Sequence, residues 1–373
     1  MKKTLNQLKI AIVHEWFVNH AGSEKVVEEL LKVFPDASLF SLVDFLPPHQ
    51  RAYLGGKKIS TSFIQHLPFS KRYFRSYFPL FPLAVEGHDL REFDLIISSS
   101  HMVSKGLLCR QDQLHISYVH SPCRFAWDLY HQYLEEAGLR NGIKGFIAQY
   151  FLHTLRIWDI ISLHRVRHFV ANSAYIGNRI RHVYNRDSEV IFPPADTERF
   201  ICTAKKGNYF FAAGRAVPYK KLDLIAKAFA SMPEKKLVLC ISGDRQISHT
   251  GAPNVEIRQN CPDGEFTSLM AGAKALVFAA EEDFGITMAE ALACGTPVIA
   301  FAKGGATEIV RDGFSGVFFE QQTAESIISA VERFEKDGLN WTAEEISASA
   351  ERFSRKEFRE QIYNLIERKW AEF

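Results

Sequence analysis

The sequence predicts an α/β protein built from two parallel-sheet domains that face a cleft. Segments typical of strands and of helices alternate along the whole chain, which favours parallel sheets covered by helices. The 373 residues, 47% of them hydrophobic, suffice for two hydrophobic cores. Pro193-Pro194 divides the alternating segments into two sets, since proline fits neither a helix interior nor a central strand. We therefore expect domains at 1–193 and 194–353, followed by a helix over 354–373 that packs back on the first domain.

Apolar runs define the predicted strands of both domains. In the first domain, strands are expected at 9–14, 94–100, 114–120 and 168–173, with a helix at 23–34. In the second domain, strands are expected at 208–214, 236–243, 274–280, 297–302 and 316–320. In open α/β sheets, ligands bind beyond the carboxyl ends of the strands. Because His14, His120 and Arg215 end or follow predicted strands, we expect an active site in the cleft.

The segment 274–301 is predicted to form a buried strand, an acidic loop, a short helix and a second buried strand. Gly285 permits a sharp turn into the helix because glycine has no Cβ. The start of the helix offers N–H groups and the positive end of its dipole, which suit a phosphate. Glu282 in the loop and Glu290 on the helix suit sugar hydroxyls. The alternative is structural: Thr287 and Glu290 match a capping box, and the acidic loop is then merely solvated.

Two cations follow the predicted strand at 208–214. Arg215 comes directly after the strand, and Lys220 follows the turn that Pro218 starts. Arginine offers a planar fork and lysine a point charge, so the two together suit a diphosphate. The alternative is an ordinary solvated basic turn. Combined with the acidic loop, the cations favour a site for a nucleotide sugar.

The composition argues against several other classes of protein. A formal net charge of +2 is not typical of a dedicated nucleic-acid binder. The six cysteines are scattered without a CxxC pair, which indicates reduced thiols in a cytoplasmic protein rather than a disulfide framework or zinc site. The absence of a DxD motif predicts that no metal is bound. The apolar runs are too short for the core of a signal peptide or for a membrane-spanning helix.

The segment 51–85 combines cations with aromatic side chains. It has six Lys or Arg residues and no Asp or Glu, and phenylalanine and tyrosine are interleaved with them. This pattern suits an anionic membrane surface, and the apolar stretch 143–161 with its scattered cations fits the same interpretation. In the alternative, the aromatic side chains belong to the core and the cations are simply solvated. The first reading predicts peripheral contact with the inner face of a membrane.

Several motifs together resemble those of family-4 retaining glycosyltransferases with the GT-B fold, and most closely the mannosyltransferase-like branch. The resemblance covers nearly the whole chain, and EEDFGITMAE, an E-x7-E pattern, is its most specific part. The matching stretches are KIAIVHEW (9–16), AGSEKV (21–26), YVHSPCRFAWD (118–128), FVANSAYIGNRI (169–180), GRAVPYK (214–220) and EEDFGITMAE (281–290). The resemblance implies two Rossmann-like domains and metal-independent transfer of a hexose from a nucleoside diphosphate sugar.

The resemblance also implies how the second domain would hold the donor. Arg215 and Lys220 would bind the diphosphate, with Lys221 as a neighbour able to replace Lys220. Glu290 would bind the ribose hydroxyls, and Glu282 would bind hydroxyls of the donor sugar. The backbone of Phe284-Gly285-Ile286 would lie against the sugar and phosphate.

From the first domain, the resemblance implies that His120 approaches the donor sugar and that Gly22 lies near the β-phosphate and the acceptor. Two stretches depart from the family pattern. The glycine loop reads His-Ala-Gly at 20–22 where many relatives have two glycines, and the base-binding loop reads Gln-Asn-Cys-Pro at 259–262. These departures leave the phosphate contact of the first loop and the identity of the base open.

By resemblance, GDP-mannose is the favoured donor, with UDP-glucose and GDP-glucose as alternatives. A glycan or lipid-linked saccharide in polysaccharide biosynthesis is the expected acceptor. Two other functions stay open from the residues: a nucleotide-sugar epimerase of the same architecture, and a non-catalytic nucleotide-sugar-binding protein. A dinucleotide dehydrogenase is disfavoured because no GxGxxG follows the first strand.

Overall fold

A computed structural model describes residues 3–243, 247, 251–338 and 341–373. The chain divides into two compact units. The first unit comprises Met1–Phe192 together with Phe358–Phe373, and the second comprises Pro193–Glu357. The chain therefore passes between the units twice.

The first unit contains, among its described residues, a seven-stranded parallel sheet. Its strands are β1 (Ile10–His14), β2 (Ser38–Ser41), β3 (Ile59–Thr61), β4 (Leu95–Ser100), β5 (Leu114–Val119), β6 (His168–Ala171) and β7 (Ser188–Val190). They lie in the order β3-β2-β1-β4-β5-β6-β7. Strands β1, β4 and β5 are buried along their whole length, as expected for a parallel sheet covered on both faces. The order reverses between β1 and β4, which is where open α/β sheets bind ligands.

The helices of the first unit before residue 193 are α1 (Gly22–Val33), α2 (Ser70–Tyr73), α3 (Phe81–Glu86), α4 (Tyr130–Glu136), α5 (Gly142–Ser162) and α6 (Ala174–Tyr184). Helix α1 contributes buried side chains to one apolar cluster, helices α3, α4 and α5 to a second, and α6 to a third. The segment 51–85 folds into short helical turns around β3. Its Phe74 and Phe81 are buried, whereas Phe69 is 80% exposed. The core interpretation therefore holds for Phe74 and Phe81, whereas Phe69 lies at the surface.

The second unit repeats the architecture, with a six-stranded parallel sheet among its described residues. Its strands are β8 (Phe210–Arg215), β9 (Leu237–Ser242), β10 (Val255–Gln259), β11 (Leu276–Phe278), β12 (Val298–Phe301) and β13 (Gly316–Phe319). They lie in the order β10-β9-β8-β11-β12-β13, so the reversal falls between β8 and β11. The predicted class of two parallel-sheet, Rossmann-like domains is confirmed.

The helices of the second unit connect these strands. They are α7 (Leu222–Ala230), α8 (Asp263–Ala271), α9 (Ile286–Ala293), α10 (Ala306–Ile309), α11 (Ala324–Asp337) and α12 (Ala343–Ala348). Helices α7 and α11 contribute most of the helical residues in the apolar cluster that covers the sheet. Helix α9 is short and follows β11 directly through the acidic loop, so its amino end lies at the carboxyl edge of the sheet.

The last helix, α13 (Arg355–Glu372), belongs mainly to the first unit. Its Phe358, Ile362, Leu365 and Ile366 are buried in the same apolar cluster as β1 and α1. The Phe358 ring lies edge-on to that of Tyr118 in β5, with ring centroids 5.8 Å apart. The last helix of the chain thus completes the apolar core of the first unit.

Candidate active site

A chain of polar side chains crosses the carboxyl edge of the first sheet at its reversal point. His14 ends β1, and the strand register places Ser99 of β4 directly opposite it. The Ser99 hydroxyl lies 3.1 Å from Nδ1 of His14 and 2.8 Å from Nε2 of His120, which follows β5. On its other side, Nε2 of His14 lies 3.6 Å from a carboxylate oxygen of Glu24 in α1. Ser99 and Glu24 were not predicted as site residues.

Burial sets the protonation of this chain. Burial lowers the pKa of His120 well below its usual value, and the neighbouring His101 and His14 lower it further. His120 is therefore neutral at pH 7 and bonds to Ser99 as an imidazole. Burial opposes ionisation of Glu24, but the hydrogen bond from His14 prevails and holds the pKa of Glu24 below its usual value. The carboxylate of Glu24 is therefore negatively charged, whereas the side chain of His120 is neutral.

Glu15 anchors the loop that follows β4. It is fully buried, and one of its oxygens accepts N–H groups of His101, Met102 and Ser104 at 3.2, 2.7 and 3.0 Å. Burial opposes its ionisation, but the electrostatic interaction with His101 and the backbone N–H groups of this loop outweigh burial and lower the pKa of Glu15. A carboxylate directly after a buried apolar strand was the available sequence signal for this residue.

Gly22 is the first residue of α1, and it is exposed. A Cβ added there would meet no atom within 4 Å, so neither packing nor backbone conformation requires a glycine in the structure as it stands. This observation leaves room for a ligand above the start of α1, as the resemblance implies. Gly22 and His120 lie in the first unit, and the other predicted site residues lie in the second.

Two of the predicted residues, Lys220 and Glu282, meet at the carboxyl edge of the second sheet, and Arg215 lies at the end of a strand there. Arg215 ends β8, and its guanidinium donates to the hydroxyl of Tyr219 at 3.0 Å. Lys220 ends the helical turn that Pro218 begins, and its ammonium forms an ion pair with Glu282. The side chains of Lys220 and Glu282 are both mostly buried, with 15% and 17% exposure. A cation and a carboxylate are therefore held together at the reversal between β8 and β11.

The turn from the acidic loop into α9 depends on three glycines. Gly285 has φ of 90° and lies directly before the helix, so it serves as the N-cap. The proposed capping box is wrong, because Thr287 lies inside α9 rather than at its N-cap. Gly304 and Gly305 pack against the loop so closely that a Cβ would lie 2.4 Å from O of Glu282 and 2.1 Å from O of Phe284. Sequence analysis had assigned no role to these two glycines.

Phe284 turns its side chain into the core, where its ring contacts that of Phe353. The backbone of Phe284-Gly285-Ile286, rather than the phenyl ring, is thus what the turn can offer a ligand. Glu290 lies one helical turn beyond Thr287 on α9 and is buried, with 6% exposure.

A cavity of about 370 Å³ opens beside Lys220 and Glu282, at the carboxyl ends of β8 and β9. Its lining is mostly apolar, with a few polar groups from the loop 260–261 and from α9. The lining residues are Ala213, Gly214, Cys240, Ile241, Ser242, Asn260, Cys261, Phe266 and Thr287. A concave apolar site with a few polar groups is typical of small-molecule binding.

The part of the chain that forms the second sheet matches a known family. Residues 195–356 match the model described as "Glycosyl transferases group 1". The match covers less than half of the chain, and this segment is similar to group 1 glycosyl transferases. It contains Arg215, Lys220, Glu282 and Glu290, so the four residues predicted to hold the donor all fall within it.

Curated relatives match the chain over part of their length. A D-inositol 3-phosphate glycosyltransferase of Mycobacterium leprae (strain Br4923) is 32% identical over 125 residues, which are 30% of this chain and 29% of that protein. Sucrose synthase isoform 1 of Daucus carota is 24% identical over 276 residues, or 60% of this chain and 34% of that protein. The chain thus spans about a third of the length of the curated relatives that it matches.

Solved glycosyltransferase structures share the fold over the full chain. Anabaena Alr3699/HepE in complex with UDP-glucose superposes with a TM-score of 0.66 at 16% identity, covering 96% of this chain and 99% of that one. Sucrose-phosphate synthase from Thermosynechococcus elongatus gives 0.69 at 17% identity, covering 98% and 100%. The predicted GT-B fold is confirmed.

Proposed function

We propose that the chain is a retaining glycosyltransferase that moves a hexose from a nucleoside diphosphate sugar to an acceptor hydroxyl. The observation that carries this proposal is the ion pair of Lys220 and Glu282 ahead of the start of α9, with Arg215 at the end of β8. The two cations match the two negative charges of a diphosphate, and the carboxylate beside them matches sugar hydroxyls. The similarity of the segment that contains them to group 1 glycosyl transferases supports the same conclusion.

The geometry supports stabilisation of the departing diphosphate. As the bond to the sugar breaks, negative charge grows on the phosphate oxygens. Lys220 is held between Glu282 and the rings of Phe278 and Tyr219, so its charge needs little reorganisation to meet the phosphate. The amino end of α9 adds N–H groups and the positive end of the helix dipole. Prepositioned charge of this kind is usually the largest contribution to catalysis.

We assign the cavity at β8 and β9 to the base and ribose of the donor, with Glu290 contributing to ribose binding. GDP-mannose remains our favoured donor by resemblance, and UDP-glucose is the alternative because it is bound in the Anabaena structure. We assign to His120 the contact with the transferred sugar and to Gly22 the approach of the β-phosphate and the acceptor. The proton of the acceptor hydroxyl would pass to the departing phosphate in a front-face displacement.

A thermal-shift panel of UDP, GDP, ADP and their hexose derivatives tests the proposal. At a concentration 100 times its dissociation constant, a bound nucleotide stabilises the protein by about 2.7 kcal/mol and raises Tm by about 5–10 °C. We expect one base to give this shift and Arg215→Ala to abolish it. No shift with any of the nucleotides would contradict the proposal. An isomer formed from the nucleotide sugar alone would favour the epimerase instead.

The charge of Arg215 and Lys220 leads us to propose that transfer needs no divalent cation. Donor hydrolysis or transfer should then persist in EDTA at the rate seen without chelator. Loss of activity in EDTA, restored by Mn²⁺ or Mg²⁺, would contradict this part of the proposal.

We further propose that a lipid-linked saccharide is the acceptor and that the protein docks on an anionic membrane surface. Among the described residues, no helix has the length and hydropathy needed to cross a bilayer. Helix α5 instead exposes a row of large apolar side chains, namely Ile143, Phe146, Ile147, Tyr150, Ile157 and Ile161. The row extends over about 27 Å at 1.5 Å per residue.

Charge on α5 complements an anionic surface. Its ionisable side chains outside the core are His153 and the cations Lys144 and Arg156, while Asp159 is buried. Phe69 and Leu83 of the segment 51–85 are also exposed, at 80% and 63%. Exposed apolar residues flanked by cations are typical of helices that lie in a membrane interface.

Vesicle flotation of Phe146→Glu tests the membrane surface. We expect the unmodified protein to float with vesicles that contain anionic phospholipid and the variant to remain in the lower fractions. The matched control is Ile201→Glu, since Ile201 is an equally exposed apolar residue of the second unit, at 74%. Equal flotation of both variants, or a dimer in solution that Phe146→Glu dissociates, would contradict membrane docking.

A further inference from the structure

Two cysteine side chains meet in the wall of the cavity at the carboxyl ends of β8 and β9. Cys240 lies in β9, and Cys261 follows the neighbouring strand β10 by two residues. Their Sγ atoms lie 2.6 Å apart, and both residues line the cavity. Both are free thiols. A disulfide has an S–S distance of about 2.05 Å, so a movement of roughly 0.5 Å would bring the sulfurs to bonding distance.

The backbone after β10 holds the two thiols in this position. Asn260 adopts a left-handed conformation with φ of 50°, and its N–H donates to O of Ile241 at 2.8 Å. Its side-chain oxygen accepts the N–H of Gly243 at 2.8 Å. These two bonds fold the chain back over the end of β9, which places Cys261 against Cys240. The contact is thus set by the loop rather than by a chance side-chain rotamer.

We propose that Cys240 and Cys261 form a reversible disulfide, which makes the cavity wall a site of redox modification. The oxidant is hydrogen peroxide or a related hydroperoxide. The thiolate of the half-buried Cys261 attacks a peroxide oxygen, which yields a sulfenic acid and releases water. The sulfur of Cys240 then displaces the sulfenic oxygen as a second water. Two thiols and one hydrogen peroxide thus become one disulfide and two waters.

The two cysteines differ in accessibility, as this order of reaction steps requires. Cys240 is 4% exposed, and burial raises the pKa of its thiol well above the usual value. Cys261 is more accessible, so it meets the oxidant first while Cys240 resolves the intermediate. Forming the disulfide draws the loop of Asn260 towards β9 and narrows the cavity that we assign to the base. Because a displacement of 1 Å can cost about a hundredfold, we expect a shift of half that size to weaken nucleotide binding about tenfold.

Mass spectrometry of the full chain tests the disulfide independently of the proposed function. After peroxide treatment, we expect a loss of about 2 Da, two of the six thiols protected from alkylation, and a cross-linked peptide pair containing Cys240 and Cys261. Dithiothreitol should reverse all three changes. Cys261→Ser and Cys240→Ala should each prevent the cross-link, whereas the control Cys109→Ser should retain it.

Binding of the nucleotide chosen by the thermal-shift panel is then compared before and after oxidation. An affinity reduced about tenfold and restored by dithiothreitol supports the placement of the base at this wall. Both thiols remaining open to alkylation after peroxide treatment, or a cross-link between other cysteines, would overturn the proposal. Failure of the reduced protein to bind any nucleotide would contradict the proposed glycosyl transfer, while the mass measurement would still decide the disulfide.

Discussion

Replacing Lys220 with alanine tests the charge that we assign to the donor diphosphate. In the structure, this ammonium is the partner of Glu282, and both side chains are mostly buried. Loss of one prepositioned donor to a developing charge costs about 2.7–4 kcal/mol of barrier. We therefore expect Lys220→Ala to lower kcat about 10²–10³-fold.

The same change should weaken donor binding. A hydrogen bond to a charged group contributes about 1.5–3 kcal/mol, which corresponds to roughly 10–100-fold in the dissociation constant. Alanine also leaves the Glu282 carboxylate unpaired beside the incoming phosphate. Adding Glu282→Gln to Lys220→Ala should therefore recover part of the binding, because the two residues contact each other and their effects are not additive.

Lys221→Ala is the matched control, since it removes the same charge one residue along the chain. Lys221 has φ of 54°, which turns the backbone at the start of α7. The ion pair with Glu282 is made by Lys220. We expect the control to change kcat and donor affinity by less than about threefold, within the usual range of ±0.5 kcal/mol for surface substitutions.

Slow hydrolysis of the nucleotide sugar serves as the turnover assay, and calorimetry gives the affinity for the nucleoside diphosphate. Thermal unfolding of both variants shows whether the fold is intact. Equal damage from Lys220→Ala and Lys221→Ala would refute the assignment of Lys220. Retention of full turnover by Lys220→Ala would refute the diphosphate site itself.

Three further predictions concern the first unit. Ser99→Ala should lower kcat about tenfold without changing donor affinity, because it removes the hydroxyl between two histidines; an unchanged kcat would contradict this. Asp159→Asn should cost about 3–5 kcal/mol in urea unfolding, since it leaves the buried Lys105 unpaired, and an unchanged midpoint would contradict this. Burial lowers the pKa of His88 and of His115 to about 4. These histidines are protonated near pH 6.5 in the unfolded chain but only near pH 4 in the folded chain. The free energy of unfolding should therefore fall as the pH drops from about 6.5 towards 4, by about 2 kcal/mol per histidine at pH 5. A urea midpoint of unfolding that stays the same between pH 7 and pH 5 would contradict this prediction.

The strands that sequence analysis predicted are those with long apolar runs, such as 9–14 and 94–100. Central strands of a parallel sheet are buried on both faces, so hydrophobicity alone identifies them. Strands β2, β3, β7 and β10 were not predicted. All four are short or partly polar, and β3, β7 and β10 lie at sheet edges, so their sequences lack the long apolar run of a central strand.

The proximity of Lys220 and Glu282 was accessible from the sequence because each residue lies close to the end of an apolar strand, as Arg215 does at the end of β8. The role of Ser99 could not be predicted from the sequence. A serine within a strand gives no local signal, and its meeting with His14 depends on the register between β1 and β4, which only the folded sheet defines. The capping box at Thr287 failed for a related reason, since tertiary contacts of Gly304 and Gly305 fix where α9 begins.

The return of α13 to the first unit has a consequence for protein engineering. Four apolar side chains of this helix complete a core whose other members lie before residue 193. At about 1.5–3 kcal/mol for each buried side chain, their loss would cost about 6–12 kcal/mol, comparable to the whole stability of a domain. Chimeras that exchange the donor half between relatives must therefore be spliced at two junctions, near 192 and near 357, and the terminal helix must stay with the recipient.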